Sequence, residues 1–536
     1  MRWPGLWVGA AAVLMASLDL GRRILATNDE ARFAILAQDM LTRGAWLFPQ
    51  LNGVDYNMKP PLGVWLIGLA SWPVGRVTQL TAVLPSALAA VGIALLVHAM
   101  GRKMFDAATG FFAALVTITT QGWFLHARMP MPDMVVTFFI TAAVGSLWPM
   151  GRALPGRWWI GFYGCMAAAF WAKGAVALLP LAVALCWRAV SARPSWRALR
   201  LPAGGLLFVL LIAPWWIGKL ASQSDAMRAV VVKDNLVWYL PRSASMLAGP
   251  PQHLIGIFFP WALLIPLVAW QVARAVRERR PERDALVFVA LWAGAFLLFV
   301  GVSQQQRLRY YVPLIPPMAL ATGWWASRAS AGSLAHVRIP GRLYALAGAV
   351  VAVATGVAAV IRRTWATGAH VAFPTSALET GVLAAGLLMM LGSLFYGVRR
   401  GRLTHGFAAA CLGGAVWVAG WYHWELERRN AAYDYPRVRA EVRRLLPGSP
   451  VVASSGVYYL PMSFYLGHQV DAIWTDDDLR RVMSEHPRGS ALVTEAALAR
   501  AGDLGRLRVL PLERLNFDPV VLVSHSADGV PADVRR

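Results

Sequence analysis

Repeated long apolar stretches constrain the fold of this chain more than any other feature of its sequence. Hydrophobic residues make up 57% of the 536 residues, whereas charged residues make up only 15%. An apolar stretch of about 17 to 25 residues can cross a bilayer as a helix. The sequence contains about thirteen such stretches, near residues 4–20, 80–100, 107–124, 133–150, 157–173, 174–190, 202–219, 254–272, 285–302, 310–327, 341–361, 376–397 and 404–423. We therefore predict an α-helical polytopic membrane protein with about thirteen transmembrane helices.

The distribution of basic residues predicts the orientation of these helices. Lys and Arg number 51 against 28 Asp and Glu, which gives a formal net charge of +23. The basic residues gather in every second loop, and such loops lie in the cytoplasm by the positive-inside rule. Residues 21–79 and those after about 424 then face the periplasm of a bacterial-type inner membrane. We predict no nucleic-acid partner, because no basic patch lies on a soluble stretch large enough to bind a duplex.

Composition divides the chain into two predicted domains. Residues 1–428 form a transmembrane domain, which includes a periplasmic loop at 21–79 with interfacial helices near 31–40 and 62–74. Residues 429–536 form a small soluble α/β domain, also periplasmic. Its predicted strands are 450–454, 470–474, 491–493 and 520–524, and its predicted helices are 476–484 and 495–501.

Three acidic residues stand out on the predicted outer face. Asp29 and Glu30 open the first interfacial helix, and Asp133 follows a proline at the start of the fourth span. A structural interpretation is available for each: Asn28 or Asp29 as the N-cap of its helix, and Asp133 as a cap. A catalytic interpretation is also available, since charges at a membrane face are costly unless they are paired or functional.

Basic side chains from distant parts of the sequence fall on the same predicted face. They are Arg32, Lys59, Arg128, Lys173, Arg307 and Arg309. Snorkelling toward the headgroups is the simpler explanation for a cation such as Lys173. Together with the carboxylates, however, these cations predict a site for transfer from a lipid phosphate. The cations would stabilise the departing phosphate, and a carboxylate would orient the nucleophile or accept its proton.

An ordered series of short motifs resembles the lipid A aminoarabinose transferases, which belong to the wider protein-mannosyltransferase-like group with the GT-C membrane fold. The first block contains Asn28, Asp29, Glu30, Ala31, Arg32, Phe33, Gly44, Ala45, Trp46, Pro49, Leu51, Asn52, Gly53, Tyr56, Lys59, Pro60, Pro61, Leu62, Trp65 and Leu66. Further pieces follow in the same order, among them Met131 to Met134, Lys173 with Gly174, Ala213 to Trp216 and Tyr311 to Pro313. The resemblance covers roughly residues 20–320.

The resemblance implies roles for individual residues. Asp29 corresponds to the principal catalytic carboxylate of the family, with Glu30 beside it, and Asp133 corresponds to a second acidic position near the site. Arg32 and Lys59 correspond to residues that line the donor-phosphate cavity. Tyr56 and Tyr311 correspond to tyrosines of the same pocket.

Two departures from the family pattern argue against a bound metal. The family has Glu before Lys-Pro-Pro, whereas this chain has Met58, whose thioether is a poor ligand for a hard cation. His253 stands alone where the aminoarabinose transferases have a histidine-rich stretch. Cys165, Cys186 and Cys411 lie in apolar stretches without metal-ligand spacing. We therefore predict no metal and no cofactor, and another amino sugar, such as a hexosamine, remains an alternative to aminoarabinose.

Three functions remain open at the level of sequence. The first is a glycosyltransferase that moves an amino sugar from a polyprenyl-phosphate donor to lipid A or another envelope acceptor, with inversion. The second is a protein O-mannosyltransferase-like enzyme, which uses the same donor chemistry on a hydroxyl group. The third is a transporter or flippase of lipid-linked sugars, for which mid-span charges and inverted repeats would be expected.

Overall fold

The computed structural model describes residues 4–56, 58–154, 156–221, 250–303, 307–330, 376–400, 402–486, 488–501, 508–512 and 519–524. In chain order, the α-helices are α1 (Pro4–Ser17), α2 (Asn28–Arg43), α3 (Leu62–Ser71), α4 (Gln79–Met104), α5 (Ala107–Ile118), α6 (Gln121–His126), α7 (Asp133–Gly151), α8 (Trp158–Lys173), α9 (Leu179–Ser191), α10 (Trp196–Leu199), α11 (Leu201–Ala221), α12 (Pro250–Phe258), α13 (Ile265–Arg277), α14 (Arg283–Val302), α15 (Ile315–Ser330), α16 (Ala377–Arg400), α17 (Leu403–Ala432), α18 (Tyr435–Leu445), α19 (Tyr459–Leu466), α20 (Asp476–Glu485) and α21 (Glu495–Ala501).

Short 3-10 helices and strands complete the secondary structure of the described residues. The 3-10 helices are Trp72–Val74, Gly174–Leu178, Trp261–Leu264 and Leu308–Leu314. The strands are β1 (Gln50–Leu51), β2 (Val54–Asp55), β3 (Val451–Ser455), β4 (Asp471–Ala472), β5 (Ser490–Thr494), β6 (Arg508–Pro511) and β7 (Val520–Ser524).

Two compact units make up the chain. The first contains residues 1–20, 57–63 and 84–424, and the second contains residues 21–56, 64–83 and 425–536. The division therefore falls close to the predicted boundary at 428. It also groups most of residues 21–79, the predicted periplasmic loop, with the C-terminal residues, which composition alone did not indicate.

The protein is a mostly helical, multi-pass membrane protein. Within the described part of the chain, 7 helical segments are long and apolar enough to cross a membrane. They are Gln79–Met104, Asp133–Gly151, Trp158–Ser191, Trp196–Ala221, Arg283–Val302, Ala377–Gly397 and Leu403–Leu445. The predicted span at 341–361 lies outside the described residues.

Prolines interrupt two spans that the sequence predicts as single helices. In the stretch 254–272, α12 ends before a 3-10 turn that begins after Pro260, and α13 follows. In the stretch 310–327, the 3-10 helix Leu308–Leu314 contains Pro313 and leads directly into α15. A proline lacks the N–H that a continuous helix needs and clashes with the preceding turn, so the backbone changes its helical type there.

Close helix packing in the first unit depends on small residues. Gly323 of α15 lies against α5, where a Cβ atom would come within 2.6 Å of the Ala113 nitrogen. Large aromatic side chains such as Trp123, Trp187 and Trp292 are fully buried in the same unit. Association of helices in a membrane relies on such close van der Waals packing, because lipid gives little hydrophobic driving force.

The second unit contains a five-stranded mixed sheet with the order β4-β3-β5-β7-β6. Strand β3 pairs in parallel with β4 and β5, whereas β7 pairs antiparallel with β5 and β6. Every residue of β5 and β7 is buried, because helices cover both faces of these central strands. Leu492 and Leu522 face the core beneath α18 and α19, and Ala491 and Val523 face the core beneath α20 and α21.

The C-terminal sheet confirms the α/β fold that we predicted and adds elements that we did not. Helices α20 and α21 and strand β7 match the predicted bounds within two residues. Predicted strand 470–474 is shorter, at Asp471–Ala472, and strand β6 and helices α18 and α19 were not predicted. Ile24 and Ala26, which precede α2, are buried in the same core as α18 and α19.

Candidate active site

The N-cap of helix α2 is Thr27, not the predicted Asn28 or Asp29. Thr27 adopts an extended conformation, and its hydroxyl accepts a hydrogen bond from the Glu30 N–H at 3.4 Å. The interpretation of Asn28 or Asp29 as the N-cap is therefore wrong. The Asn28 side chain instead accepts a hydrogen bond from the Leu460 N–H at 3.1 Å. Asp29 and Glu30 occupy the first turn, where the helix dipole favours negative charge.

Asp29 keeps part of its carboxylate accessible. Its side chain is 26% exposed, and its Oδ1 accepts a hydrogen bond from Arg32 at 3.1 Å, one helical turn along. This is an i,i+3 pair on one face of α2. Asp29 and Arg32 therefore form a partly exposed acid–base pair at the start of α2, as candidate substrate-contacting groups require.

Glu30, the next residue, is buried in a network of charges. Its Oε1 accepts hydrogen bonds from Arg23 at 2.7 Å and from Arg429 at 3.0 Å. Its Oε2 accepts from the Ala26 N–H at 2.8 Å and from Arg429 at 3.0 Å. Burial raises the pKa of Glu30, but the guanidinium groups of Arg23 and Arg429 outweigh burial and lower it to about 2. This geometry favours a structural role for Glu30 over direct catalysis.

Tyr56 and Lys59 lie on the chain between β2 and α3. Tyr56 is buried, and its N–H donates to the Pro49 carbonyl at 3.0 Å. Lys59 is half-buried and follows Met58, whose side chain is exposed. Tyr56 belongs to the second unit and Lys59 to the first.

A second cluster of charges lies within the first unit, where α7 begins and α8 ends. The Lys173 ammonium donates to the Asp133 carboxylate, and both side chains are buried. The Lys173 Nζ also lies 4.2 Å from the centre of the Tyr310 ring, and the Arg309 guanidinium lies 5.4 Å from it. Asp133, Lys173, Arg309 and Tyr310 line a small cavity with Ser303 and Phe296.

Arg128 has a different environment from the one expected of a substrate-binding residue. It is fully buried, and it donates to the Leu18 carbonyl at 2.8 Å, to the Phe124 carbonyl at 2.5 Å and to the Met15 carbonyl. Its guanidinium also stacks on the ring of Phe124, 3.5 Å from the ring centre. Arg128 thus satisfies carbonyl groups at the end of α1, which favours a helix-capping role.

The remaining predicted residues lie on the 3-10 helix that precedes α15. Arg307 is exposed at its start, whereas Tyr311 is buried with its ring 5.1 Å from the His253 ring. The structure therefore brings Asp133, Lys173 and Arg309 together in the first unit, and Asp29 and Arg32 together in the second.

Arg23 and Arg429 were not among the residues predicted for the site. The two arginines carried a usable signal, because both lie on the predicted outer side, where basic residues are less frequent. Among the described residues, no group of three or more His, Cys, Asp or Glu is placed to hold a metal ion. The predicted metal independence stays a prediction.

Comparisons with known proteins agree with this architecture. Residues 58–217 match the family described as dolichyl-phosphate-mannose-protein mannosyltransferase. The undecaprenyl phosphate-alpha-4-amino-4-deoxy-L-arabinose arabinosyl transferase of Pectobacterium carotovorum is 30% identical over 324 residues, 59% of this chain and 57% of the relative. The chain thus spans little more than half the length of that relative. The protein of the same name from Edwardsiella ictaluri is 26% identical over 430 residues, 76% of this chain and 74% of the relative.

Solved structures share the fold over nearly the whole chain. The crystal structure of ArnT from Cupriavidus metallidurans bound to undecaprenyl phosphate has a TM-score of 0.74 at 21% identity, covering 98% of this chain and 99% of that one. The oligosaccharyltransferase of Archaeoglobus fulgidus in its apo form has a TM-score of 0.54 at 10% identity, covering 99% and 76%. The fold is therefore that of a GT-C membrane protein with a small C-terminal sheet domain. In sequence the chain is similar to aminoarabinose transferases, and it shares the fold of one of them.

Proposed function

We propose that this protein is an inverting glycosyltransferase of the periplasmic face of a bacterial inner membrane. The donor is a sugar linked to a polyprenyl phosphate, and the sugar is aminoarabinose or another amino sugar. The acceptor is lipid A or another molecule of the envelope. The observation that carries the proposal is the partly exposed pair of Asp29 and Arg32 on α2, within the ordered block of motifs that resembles the aminoarabinose transferases.

The reaction transfers the sugar in one displacement. An acceptor oxygen attacks the anomeric carbon from the face opposite the phosphate, the bond from carbon to phosphate oxygen breaks, and the polyprenyl phosphate leaves with the bonding pair. Asp29 stabilises the positive charge that develops on the sugar ring and orients the acceptor. A phosphate acceptor is already ionised, whereas a hydroxyl acceptor gives its proton to Asp29 as general base.

The basic residues have a matching role in this proposal. In the second unit, Arg32 supplies charge-assisted donors to a phosphate group of the substrates. In the first unit, the candidate donors to phosphate are Lys59, Lys173, Arg307 and Arg309. Asp133 holds Lys173 in a defined position through their buried ion pair. Tyr56 and Tyr311 keep the role of substrate-binding residues that the resemblance implies. Met58 in place of a carboxylate supports a reaction without a divalent metal.

Mass spectrometry of lipid A from cells with and without the gene tests the proposal. We expect an added pentosamine or hexosamine mass that appears only when the gene is present and disappears in the Asp29→Asn variant. Identical lipid A and identical envelope glycans in the two strains would refute the proposal.

A protein O-mannosyltransferase-like activity is the second candidate, and the family match over residues 58–217 favours it. Purified protein can be offered a lipid-linked aminosugar and a lipid-linked mannose, each with lipid A and with an acceptor peptide. Mannose on the peptide alone would select the second candidate. Movement of the donor across a vesicle membrane without transfer would instead indicate a flippase.

A further inference from the structure

The main chain ahead of α2 is held by residues from the far end of the sequence. We call residues 22–28 the anchor segment. The Asn430 side chain donates to the Arg22 carbonyl at 2.8 Å and accepts from the Ile24 N–H at 3.0 Å. By bonding both a carbonyl and an N–H, Asn430 acts on the anchor segment as a neighbouring strand would.

Two tyrosines continue this pattern along the anchor segment. The Tyr465 hydroxyl accepts from the Leu25 N–H at 2.9 Å, and the Tyr435 hydroxyl donates to the Ala26 carbonyl at 2.8 Å. The two rings stack with centroids 5.6 Å apart. Buried backbone groups need such partners, and here α18 and α19 of the C-terminal domain provide them.

Ion pairs hold Glu30, which lies two residues beyond the anchor segment. Arg429 donates through one nitrogen to both Glu30 oxygens at 3.0 Å, although the two residues are 399 positions apart in the chain. Arg23 binds Glu30 from within the anchor segment at 2.7 Å. Breaking a buried, hydrogen-bonded ion pair leaves an uncompensated charge, so Glu30 is strongly fixed where it lies.

Asp29 lies between two residues that the C-terminal domain fixes. The Leu460 N–H binds the Asn28 side chain, and Arg429 binds Glu30. Asp29 itself remains partly exposed. The backbone that carries this carboxylate is therefore held in position by residues outside α2.

We propose that the C-terminal domain positions the candidate catalytic carboxylate, with Arg429 and Tyr465 as positioning residues for Asp29. This inference rests on the proposed glycosyltransferase function. An alternative is that the same contacts only stabilise the fold. Positioning predicts a loss of turnover per folded molecule, because a shift of about 1 Å in a reacting group costs about 100-fold in rate. Stabilisation alone predicts less folded protein with normal turnover.

Three variants of the purified, full-length protein test the inference. Arg429→Met removes the charge and keeps an unbranched stem, Arg429→Lys keeps one nitrogen donor, and Tyr465→Phe removes the hydroxyl but keeps the stacked ring. Arg22→Met is the matched control, since it breaks the exposed ion pair of Arg22 with Glu427 beside the same segment. Exposed pairs contribute little to stability.

Turnover and amide exchange are both measured on the folded fraction of each variant. For Arg429→Met and Tyr465→Phe we expect kcat to fall about tenfold or more, with KM for the lipid-linked donor within about twofold of wild type. Arg429→Lys should recover most of the lost turnover, and Arg22→Met should resemble wild type. The Leu25 and Ala26 amides should exchange faster in Arg429→Met and Tyr465→Phe only.

The possible failures are distinguishable. Normal kcat in folded Arg429→Met and Tyr465→Phe would overturn the inference, as would a loss of folded protein with unchanged kcat per folded molecule. A wild-type protein that transfers no sugar would instead refute the proposed function. In that case amide exchange tests whether Arg429 and Tyr465 hold the backbone ahead of Asp29. Unchanged exchange of the Leu25 and Ala26 amides in both variants would overturn that inference.

Discussion

Replacing Asp29 by Asn separates a catalytic role from a structural one. The substitution keeps the size of the side chain and removes its charge. Thr27, not Asp29, caps α2, so the first hydrogen bonds of the helix remain. The substitution weakens the attraction to Arg32, in a pair with side chains 21% and 26% exposed, and the attraction to the helix dipole.

The expected cost in stability is small. A partly exposed ion pair contributes up to about 1 kcal/mol, and an acid in the first turn contributes about 0.3–1 kcal/mol. The expected cost in rate is large, since loss of one preorganised electrostatic partner typically slows a reaction by about 10²–10³, or roughly 3–4 kcal/mol. We therefore expect Asp29→Asn to express and insert normally and to transfer sugar at least about a hundredfold more slowly.

The assay is single-turnover transfer from a lipid-linked donor, normalised to folded protein. Asp39→Asn is the control, because Asp39 lies on the same helix and also pairs with an arginine, Arg43, at 3.7 Å. The control should keep nearly full activity. Near wild-type turnover by Asp29→Asn at normal protein level would refute the catalytic assignment.

Three further predictions concern topology, metal and pH. If the C-terminal domain is periplasmic, alkaline phosphatase fused after Arg536 should be active. A fluorescent protein that folds only in the cytoplasm should be dark at the same position, and the reverse pattern would refute this orientation. Transfer by purified enzyme should survive strong chelation, since Met58 replaces a carboxylate; loss that zinc or magnesium restores would contradict this. Because the pKa of Glu30 is lowered from 4.5 to about 2, its ionised form stabilises the fold above about pH 4.5, and that stabilisation is lost as pH falls from there toward 2. Thermal midpoints should therefore fall more steeply on acidification in wild type than in Glu30→Gln, and parallel curves would contradict the prediction.

Local patterns predicted those parts of the site that depend on neighbouring residues. Helix α2 was predicted from the spacing of apolar residues at 33, 36, 37 and 40, and its acidic first turn is present. The cap was misassigned, because Thr27, Asn28 and Asp29 are all good capping residues and only the backbone conformation separates them. Residue type alone also could not distinguish Asp29, partly exposed, from Glu30, buried between two arginines.

Apolar length by itself determined that this chain is a multi-pass helical membrane protein, because a bilayer admits only segments that satisfy their own backbone hydrogen bonds. Alternation of short strands and helices likewise determined the α/β nature of the C-terminal residues. Only the tertiary structure decided that residues 21–56 share a compact unit with residues 425–536. Only the tertiary structure showed Arg429 on Glu30 and Arg128 on the carbonyls of α1. These contacts join residues that are far apart in the chain. A single ion pair or cap constrains only its two partners, so it leaves no periodic pattern in the sequence between them.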